Sequence, residues 1–127
     1  MICRTATADD MGFVVETFVR SIRVASTHVE GLDGHQVGTL LTNLIHKGWT
    51  PTVVEDEGYL IGWCVWNGRN RLAWTYIRDT MRGKGVAKFL LRHTDVDMAK
   101  PVFTPFLPNR GARLRYKFHH RPYECLV

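Results

Sequence analysis

The stretch Leu72–Ala87, LAWTYIRDTMRGKGVA, carries more structural information than any other part of the sequence. Its first six residues are apolar, aromatic or β-branched and predict a β-strand at 72–77. A helix is predicted to begin near Val86, after the basic, glycine-containing turn Arg82-Gly83-Lys84-Gly85. The start of a helix presents unpaired backbone N–H groups, and glycines allow a phosphate oxygen to approach them closely. Residues 82–87 therefore predict a pyrophosphate-binding turn, with a basic surface turn of no function as the alternative.

The residues before this unit predict two amphipathic helices, at about 8–23 and 34–47. In each helix, apolar residues recur at the three- and four-residue spacing of one helix face. The first helix begins at a pair of residues spaced like a capping box, Thr7 and Asp10. The apolar stripes consist of Met11, Val14, Val15, Phe18, Val19 and Ile22 in the first helix and of Val37, Leu40, Leu41, Leu44 and Ile45 in the second.

Three strand segments, at 52–55, 59–66 and 72–77, predict an antiparallel meander. Asn67-Gly68 predicts the tight turn between the last two strands, because both residue types tolerate positive φ. The three segments are rich in aromatic and β-branched residues, which are typical of strands.

The chain after the glycine turn predicts a helix from Val86, a strand at 101–106, a short basic helix from Asn109 to about Lys117 and a last strand at 123–127. The resulting order of elements is β-α-α-β-β-β-α-β-α-β. This order predicts an α+β fold in a single domain, residues 1–127, with a central mixed, mostly antiparallel sheet flanked by about four helices.

Composition restricts the class of protein. With 127 residues, of which 45% are hydrophobic, the chain is long enough for one domain with a buried core. It has no apolar run of the roughly 20 residues that span a bilayer and no signal-peptide pattern, so we expect a cytoplasmic protein without membrane association. The formal charge of +5 favours an anionic partner, either a phosphate-rich cofactor or a nucleic acid.

Cysteine and histidine spacing does not predict a metal site. Cys3, Cys64 and Cys125 are far apart in the sequence, which predicts reduced thiols. His119 and His120 are adjacent, so their side chains point in different directions, and no third ligand has a suitable spacing. We therefore expect no bound metal.

These features resemble the GNAT superfamily of N-acetyltransferases. The signature of that family, Gln/Arg-x-x-Gly-x-Gly/Ala, is matched at every fixed position, and so is its later pattern of Asn, Ala and Leu-x-Tyr. The order of elements also agrees over essentially the whole chain. The matching residues are Arg82, Gly85 and Ala87 in the signature and Asn109, Ala112, Leu114 and Tyr116 in the later pattern.

The resemblance implies acetyl-CoA as the acyl donor and a primary amine, on a protein or a small molecule, as the acceptor. It implies that the strand at 72–77 bulges and splays from the strand at 101–106, which leaves a gap for the pantetheine arm. Tyr116 takes the place of the general acid, and a phenol with its ordinary pKa of about 10 suits the protonation of a leaving thiolate. The implied cofactor-binding residues are Tyr76 and Ile77 beside the pantetheine arm, Arg82, Gly83, Lys84, Gly85, Val86 and Ala87 at the pyrophosphate, and Asn109.

The general base is the point at which the sequence departs from the family. Many relatives carry a Glu on the strand that precedes the signature, whereas residues 73–77 contain no carboxylate. Either water or a side chain from elsewhere must then accept the proton of the amine. The candidate side chains are Glu55, Asp79, His28 and His35.

Two other functions are compatible with the sequence. The missing strand carboxylate favours a binding protein that uses the same fold without acetylation, as expected of some small virus-encoded relatives. The basic second half of the chain favours a protein that binds or modifies nucleic acid, whose affinity would fall steeply with salt. The oligomeric state is open, with a homodimer among the options.

Overall fold

Six strands and three α-helices make up the part of the chain that the computed structural model describes, residues 1–25, 31–106, 108 and 116–122. The strands are β1 (Ile2–Thr5), β2 (Thr50–Asp56), β3 (Tyr59–Asn67), β4 (Arg71–Ile77), β5 (Val102–Thr104) and β6 (Phe118–His120). The helices are α1 (Met11–Ala25), α2 (Gly34–His46) and α3 (Val86–Leu91), with short 3-10 turns at Ala8–Asp10 and Asp79–Met81. Within these ranges no helix is both long and apolar enough to cross a lipid bilayer.

The strands form one sheet in the order β1-β2-β3-β4-β5-β6. Neighbours from β1 to β4 are antiparallel, whereas β5 runs parallel to β4 and β6 runs parallel to β5. The sheet is therefore mixed and mostly antiparallel. The predicted α+β fold class and the order of the first eight elements are confirmed.

α1 packs on one face of the sheet through aromatic contacts. Phe18 is fully buried, and its ring meets the rings of Trp63 and Trp74 edge-on, with 6.2 Å between centroids in each pair. Both indoles also bond to α1, because Trp63 Nε1 donates to Thr17 Oγ1 at 2.7 Å and Trp74 Nε1 donates to Ser21 Oγ at 3.0 Å. Buried tryptophans normally need such a partner for their N–H groups. These bonds fix the position of α1 on β3 and β4.

α3 packs on the opposite face of the sheet. Val86 and Leu90 of α3 contribute to a buried cluster with Cys64 of β3 and Leu72 of β4. Side chains alternate between the two faces of a strand, so Cys64 lies in the buried cluster under α3, whereas its neighbour Trp63 lies in the buried cluster under α1 on the other face of the sheet. The turn that precedes α3 is thereby held directly after the carboxyl end of β4.

Side-chain caps define the starts of the first two helical segments. The Asp10 carboxylate accepts a hydrogen bond from Thr7 N–H at 2.7 Å, as the predicted capping box requires. At the start of α2, Asp33 Oδ1 accepts from Gln36 N–H at 2.8 Å, and the Gln36 side chain accepts from Asp33 N–H at 2.9 Å. The predicted bounds of both helices agree with the structure to within two or three residues.

The turn between β3 and β4 has a different conformation from the predicted one. Positive φ angles occur at Arg69 (63°) and Asn70 (58°) rather than at Asn67 and Gly68. The Asn70 side chain donates to Pro101 O at 2.8 Å, which ties the turn to the segment before β5. A contact between segments distant in sequence therefore decides which residues take the left-handed conformation, and a local turn rule does not include it.

β5 is shorter than predicted, at Val102–Thr104 instead of 101–106. Pro101 and Pro105 flank it, and proline has no N–H to donate to a strand ladder. Among the described residues, the short strand leaves most of the length of β4 without a strand partner on this side.

The chain after residue 115 also differs from the prediction. Tyr116 and Lys117 are not helical, and β6 occupies Phe118–His120, where no strand was predicted. β6 is held by its parallel pairing with β5, which the composition of the segment does not indicate. The rest of the predicted basic helix, 109–115, and the predicted strand at 123–127 lie outside the described residues.

Candidate active site

β4 contains a β-bulge partway along its pairing with β3. Val65 is paired with Trp74 and Trp66 with Leu72, so Ala73 is an extra residue on β4. An extra residue bends its strand and increases the local twist. The predicted bulge in this strand is confirmed, and it lies where β4 begins to separate from β5.

β4 and β5 pair at their first residues and then diverge. The register joins Arg71 with Phe103, and Phe103 N–H donates to Asn70 O at 3.0 Å. Further along, Thr104 Oγ1 donates to Ala73 O at 3.3 Å, so a side chain takes the place of a backbone ladder. In the described ranges the two strands form no further ladder pair. The predicted gap between these strands is confirmed.

The backbone of β4 beyond the bulge presents hydrogen-bonding groups to this gap. Arg78 N–H donates to Ile61 O at 2.9 Å, which identifies the set of residues whose backbone faces β3. Backbone groups alternate in direction along an antiparallel strand, so the backbone of Tyr76 also faces β3, while that of Thr75 and Ile77 faces the gap. Of the two residues predicted beside the pantetheine arm, Ile77 thus offers its backbone.

Two adjoining cavities surround the gap. The smaller one has a volume of about 240 Å³ and a largely apolar lining. Its apolar wall includes Leu72, Leu91, Met98, Phe106 and Phe118, and its hydroxyl groups belong to Thr75, Thr104 and Tyr116.

The larger cavity, of about 700 Å³, extends along α1 and reaches the turn before α3. Its lining is more polar and includes the charged side chains of Arg20, Asp79 and Arg82, together with the side chain of Tyr76. The two cavities share the lining residues Trp74, Thr75, Ala87 and Pro108. Together they suit a long ligand with a charged end and a less polar arm.

The turn before α3 is open to a ligand. Gly83 and Gly85 have φ angles of 76° and 79°, and a Cβ atom added to either would meet no atom within 4 Å. Phe89 N–H donates to Gly85 O at 3.0 Å and begins the hydrogen-bond ladder of the helix. The N–H groups of residues 83–87 therefore come before the first hydrogen bond of the helix, and the helix itself provides no carbonyl acceptor for them.

Arg82 lies at this turn but is engaged within the protein. Its Nη1 atom forms a salt bridge with Asp79 Oδ1 at 2.6 Å, and its Nε atom donates to Ile77 O at 3.0 Å. Both charged side chains are well exposed, and exposed pairs contribute little free energy. Arg82 can therefore exchange Asp79 for another anion at small cost. Lys84 is exposed on the same turn.

Tyr116, the predicted general acid, borders the smaller cavity. Its ring packs edge-on against Phe118, with 6.3 Å between centroids. The structure thus brings Tyr116 to the same cavity as Thr75 of β4 and Ala87 of α3, although these residues are far apart in sequence. Asn109, also predicted in the cofactor site, lies outside the described residues.

The four candidate bases are in different places. Asp79 borders the larger cavity. Glu55 lies on β2 and accepts a hydrogen bond from Arg4 at 3.4 Å. His35 is exposed in the first turn of α2. Neither residue lines either cavity. His28 lies outside the described residues. Asp79 is thus the candidate that the described structure brings to the cavities.

Thr75 is a site residue that the sequence did not single out. Its hydroxyl oxygen is buried and has no hydrogen-bond partner among the described residues. Threonine is common in strands, so the residue type alone gives no functional signal. The lack of a partner for its hydroxyl depends on which groups surround the side chain, which only the folded chain reveals.

The thiols and imidazoles described here do not line the cavities. Cys3 and Cys64 are free thiols, and burial raises the pKa of Cys64 far above its ordinary value, which keeps the group neutral. His119 packs on Phe103 with 5.2 Å between ring centroids. No cluster of three metal-ligating side chains occurs among the residues that the structure describes.

Solved acetyltransferase structures share this architecture. A ribosomal-protein-alanine N-acetyltransferase from Brucella melitensis aligns with a TM-score of 0.55 and 20% identity, over 72% of this chain and 63% of its own. The yncA protein of Salmonella typhimurium, provisionally assigned as an acetyltransferase and solved with its cofactor acetyl-CoA, aligns with a TM-score of 0.54 and 20% identity, over 72% and 59%. A GCN5-related N-acetyltransferase from Rhodopseudomonas palustris aligns with a TM-score of 0.52 and 16% identity, over 72% and 61%.

The sequence matches no protein-family profile, and it is not significantly similar to any curated protein. The aligned part of this chain spans about three fifths of the length of the three solved structures. Identities of this size relate folds rather than activities. The described chain has the GNAT fold.

Proposed function

We propose that the protein is an acyl-CoA-dependent N-acyltransferase that moves an acetyl group to a primary amine. The observation that carries this proposal is the gap between β4 and β5, into which the backbone groups of Thr75 and Ile77 point without a strand partner among the described residues; Ile77 O accepts instead from the Arg82 side chain. A pantetheine arm contains amide groups, which can pair with such an open strand edge as an added strand would. The cavities around the gap also reach the turn before α3 and Tyr116.

The start of α3 supplies the matching site for the pyrophosphate. The amides of residues 83–87 precede the helical ladder, and a Cβ atom added to Gly83 or Gly85 would meet no atom within 4 Å. Backbone N–H groups and the helix dipole favour an anion at such a position. Lys84 and Arg82 add positive charge, provided that Arg82 leaves Asp79. The Salmonella typhimurium neighbour, solved with acetyl-CoA, supports the same choice of donor.

The cavity residues can then be assigned roles in acyl transfer. The unprotonated amine nitrogen forms a bond to the thioester carbonyl carbon, and the carbon–sulfur bond breaks to leave a thiolate. Tyr116 borders the smaller cavity, and its phenol donates the proton that the thiolate takes. The amine loses a proton to water or to Asp79, the candidate base that lines the larger cavity.

Calorimetric titration with acetyl-CoA tests the binding step. In Gly85→Glu a carboxylate enters the open space at the turn, and like-charge contact costs several kcal/mol, so we expect affinity to fall by about a hundredfold or more. Gly85→Ala is the matched control, because it carries the same strain at positive φ without the charge. If the wild-type protein gives no heat at millimolar acetyl-CoA, the proposal is wrong.

Tyr116→Phe tests the chemical step. The substitution removes the phenolic proton but keeps the ring that packs on Phe118. We expect the Kd for acetyl-CoA to be unchanged and turnover to fall by about a hundredfold, the usual contribution of a general acid. Release of free coenzyme A thiol, measured with a panel of amines, gives the rate. Unchanged turnover would remove Tyr116 from the mechanism.

A binding protein without catalysis is the second candidate. It is favoured by β4 itself, whose residues 71–77 include no carboxylate. Such a protein would bind acetyl-CoA with the same sensitivity to Gly85→Glu. It would release no thiol with any amine in the panel, and Tyr116→Phe would change nothing.

A further inference from the structure

The hydroxyl group of Thr75 is the side-chain polar group that is buried without a partner in the described part of the chain. Buried polar groups in folded proteins are nearly always hydrogen-bonded, because an unmet donor or acceptor is destabilising. The exception here lies at the shared border of the two cavities. A group that lacks a partner among the described residues, next to a ligand-sized cavity, can obtain one from the ligand.

The backbone of the same residue faces the same space. Thr75 belongs to the set of β4 residues whose N–H and C=O groups point into the gap rather than to β3. The N–H and the hydroxyl of one threonine are close together by covalent geometry. Both can therefore donate to a single oxygen atom in the gap.

The hydroxyl oxygen is covered in the free protein, so it must turn to meet a ligand. The three staggered χ1 positions of threonine are about 120° apart, and one step exchanges the places of the hydroxyl and the methyl group. The two groups are similar in size, so this exchange needs little new space. Entry of a ligand with an acceptor atom would favour the rotamer that presents the hydroxyl.

The other hydroxyl groups of the smaller cavity are already assigned. Thr104 Oγ1 donates to Ala73 O at 3.3 Å and accepts from Phe106 N–H at 3.2 Å. Tyr116 has the proposed role of acid toward the thiolate. Thr75 is therefore the remaining hydroxyl donor for the oxygen of the reacting group.

We infer that the Thr75 hydroxyl donates a hydrogen bond to the carbonyl oxygen of the bound acyl thioester, together with its own backbone N–H. The inference rests on the proposed function. A donor at this oxygen polarises the carbonyl and stabilises the negative charge that develops there when the amine attacks. No covalent bond to Thr75 forms, and its proton stays on the hydroxyl.

Two variants of Thr75 and one control separate this role from a structural one. Thr75→Val removes the hydroxyl and keeps the branched shape, and Thr75→Ser keeps the hydroxyl. Thr42→Val is the matched control, since Thr42 lies on α2 and its hydroxyl bonds to Gly38 O within the helix. Removal of an unsatisfied group should leave Thr75→Val at least as stable as the wild type in thermal unfolding. This outcome makes the variant usable in the binding experiments.

Calorimetry with acetyl-CoA and with free coenzyme A, which has no acyl carbonyl, gives the first readout. We expect Thr75→Val to lower the affinity for acetyl-CoA about tenfold, as for the loss of one hydrogen bond. The affinity of Thr75→Ser should be close to that of the wild type. The affinity for coenzyme A should be the same in all variants. An equal loss of affinity for both ligands would indicate that the hydroxyl contacts the pantetheine arm, and it would overturn the inference. Unchanged affinity for both ligands would also overturn it.

Infrared spectroscopy of acetyl-CoA labelled with ¹³C at the carbonyl gives the second readout. A hydrogen-bonded thioester carbonyl absorbs at lower frequency than a free one. We expect the absorption in the wild type and Thr75→Ser to lie below that in Thr75→Val. Identical frequencies in a protein that binds acetyl-CoA would contradict the role of Thr75 alone. A wild-type protein that does not bind acetyl-CoA would instead contradict the proposed function.

Discussion

The antiparallel half of the sheet, β1 to β4, and the parallel half, β4 to β6, differ in how fully the backbone groups of neighbouring strands are hydrogen-bonded to each other. In the antiparallel half the strands are paired along most of their lengths, and α1 covers one face with buried aromatic side chains. In the parallel half, β4 meets β5 at Arg71 and Phe103 and then diverges. The first half has its hydrogen bonds within the sheet, whereas the second leaves backbone groups of β4 without a strand partner in the described ranges.

This difference separates stability from binding. A fully paired sheet on an apolar core supplies the free energy that holds the fold. Within the described residues, the gap beside β4 leaves backbone groups of that strand without a strand partner, which is tolerated because the paired half fixes β4 in place. Substitutions in the antiparallel half should therefore change stability, and substitutions at the gap should change affinity.

The largest expected effect is that of Trp63→Ala in the antiparallel half. Trp63 is fully buried, and its Nε1 atom donates to Thr17 Oγ1. Loss of a buried aromatic side chain of this size costs about 3–5 kcal/mol of unfolding free energy. Urea denaturation followed by far-UV circular dichroism measures it.

Phe103→Ala is the comparison on the parallel half. Phe103 is partly buried and packs on His119 and on the Arg121 guanidinium, 4.0 Å from its ring centroid. We expect a loss of about 1–2 kcal/mol, typical of a partly buried site. Equal losses for the two variants would show that both halves hold the fold to the same degree.

Asp10→Asn should have an effect on stability of similar size, but one that depends on pH. The Arg4 guanidinium, with help from Thr7, lowers the pKa of Asp10 to about 2 from an ordinary value of 3.8. A carboxyl group with a lowered folded-state pKa stabilises the fold above its unfolded-state pKa. With a discount for solvent around the partly exposed Arg4, the loss at pH 7 is about 1–2 kcal/mol.

The sign of the pH dependence provides the check. As the pH falls from about 4 through about 2, Asp10 of the wild type becomes protonated first in the unfolded and then in the folded state, so the stabilisation is progressively lost. The stabilities of the wild type and Asp10→Asn should therefore approach each other as the pH falls and converge below about pH 2. The Kd for acetyl-CoA at pH 7 should be the same for both, since Asp10 does not line either cavity. A constant difference across this range would exclude the ion pair as its cause.

The antiparallel half is also the part that local sequence patterns predict best. α1 and α2 have apolar stripes at helical spacing, and β3 and β4 are dense in aromatic and β-branched residues, so each element is specified by its own composition. Two of the features that were not predicted correctly depend on contacts between distant segments. The left-handed residues of the β3–β4 turn depend on the bond from Asn70 to Pro101, and β6 depends on pairing with β5.

The candidate site shows the same division between local and distant causes. Residues 82–87 were predictable, because a glycine turn between a strand and a helix is a local pattern with a direct physical use. The resemblance to acetyltransferases implied the gap beside β4, which the structure contains, and a role for Tyr116 as general acid, which stays a prediction. The unpaired hydroxyl of Thr75 was not predictable, since it depends on which groups the folded chain brings around the side chain.

The smallest expected effect is a gain in affinity from Asp79→Asn at the edge of the gap. Asp79 holds Arg82 in an exposed salt bridge, and the same guanidinium caps Ile77 O, a group that faces the gap. Loss of the carboxylate frees Arg82 for the pyrophosphate and removes a negative charge beside it. Because an exposed pair is worth about 1 kcal/mol or less, we expect acetyl-CoA to bind up to about fivefold more tightly.

Glu16→Gln on α1 is the control for net charge, because it removes one exposed carboxylate from a residue that lines neither cavity. The gain in Asp79→Asn should shrink as salt is added, since salt screens exposed charges. Tighter binding with slower turnover would assign Asp79 a second role as the base. Weaker binding would show that Asp79 positions Arg82 for the cofactor, so that the salt bridge belongs to the binding site itself rather than competing with it.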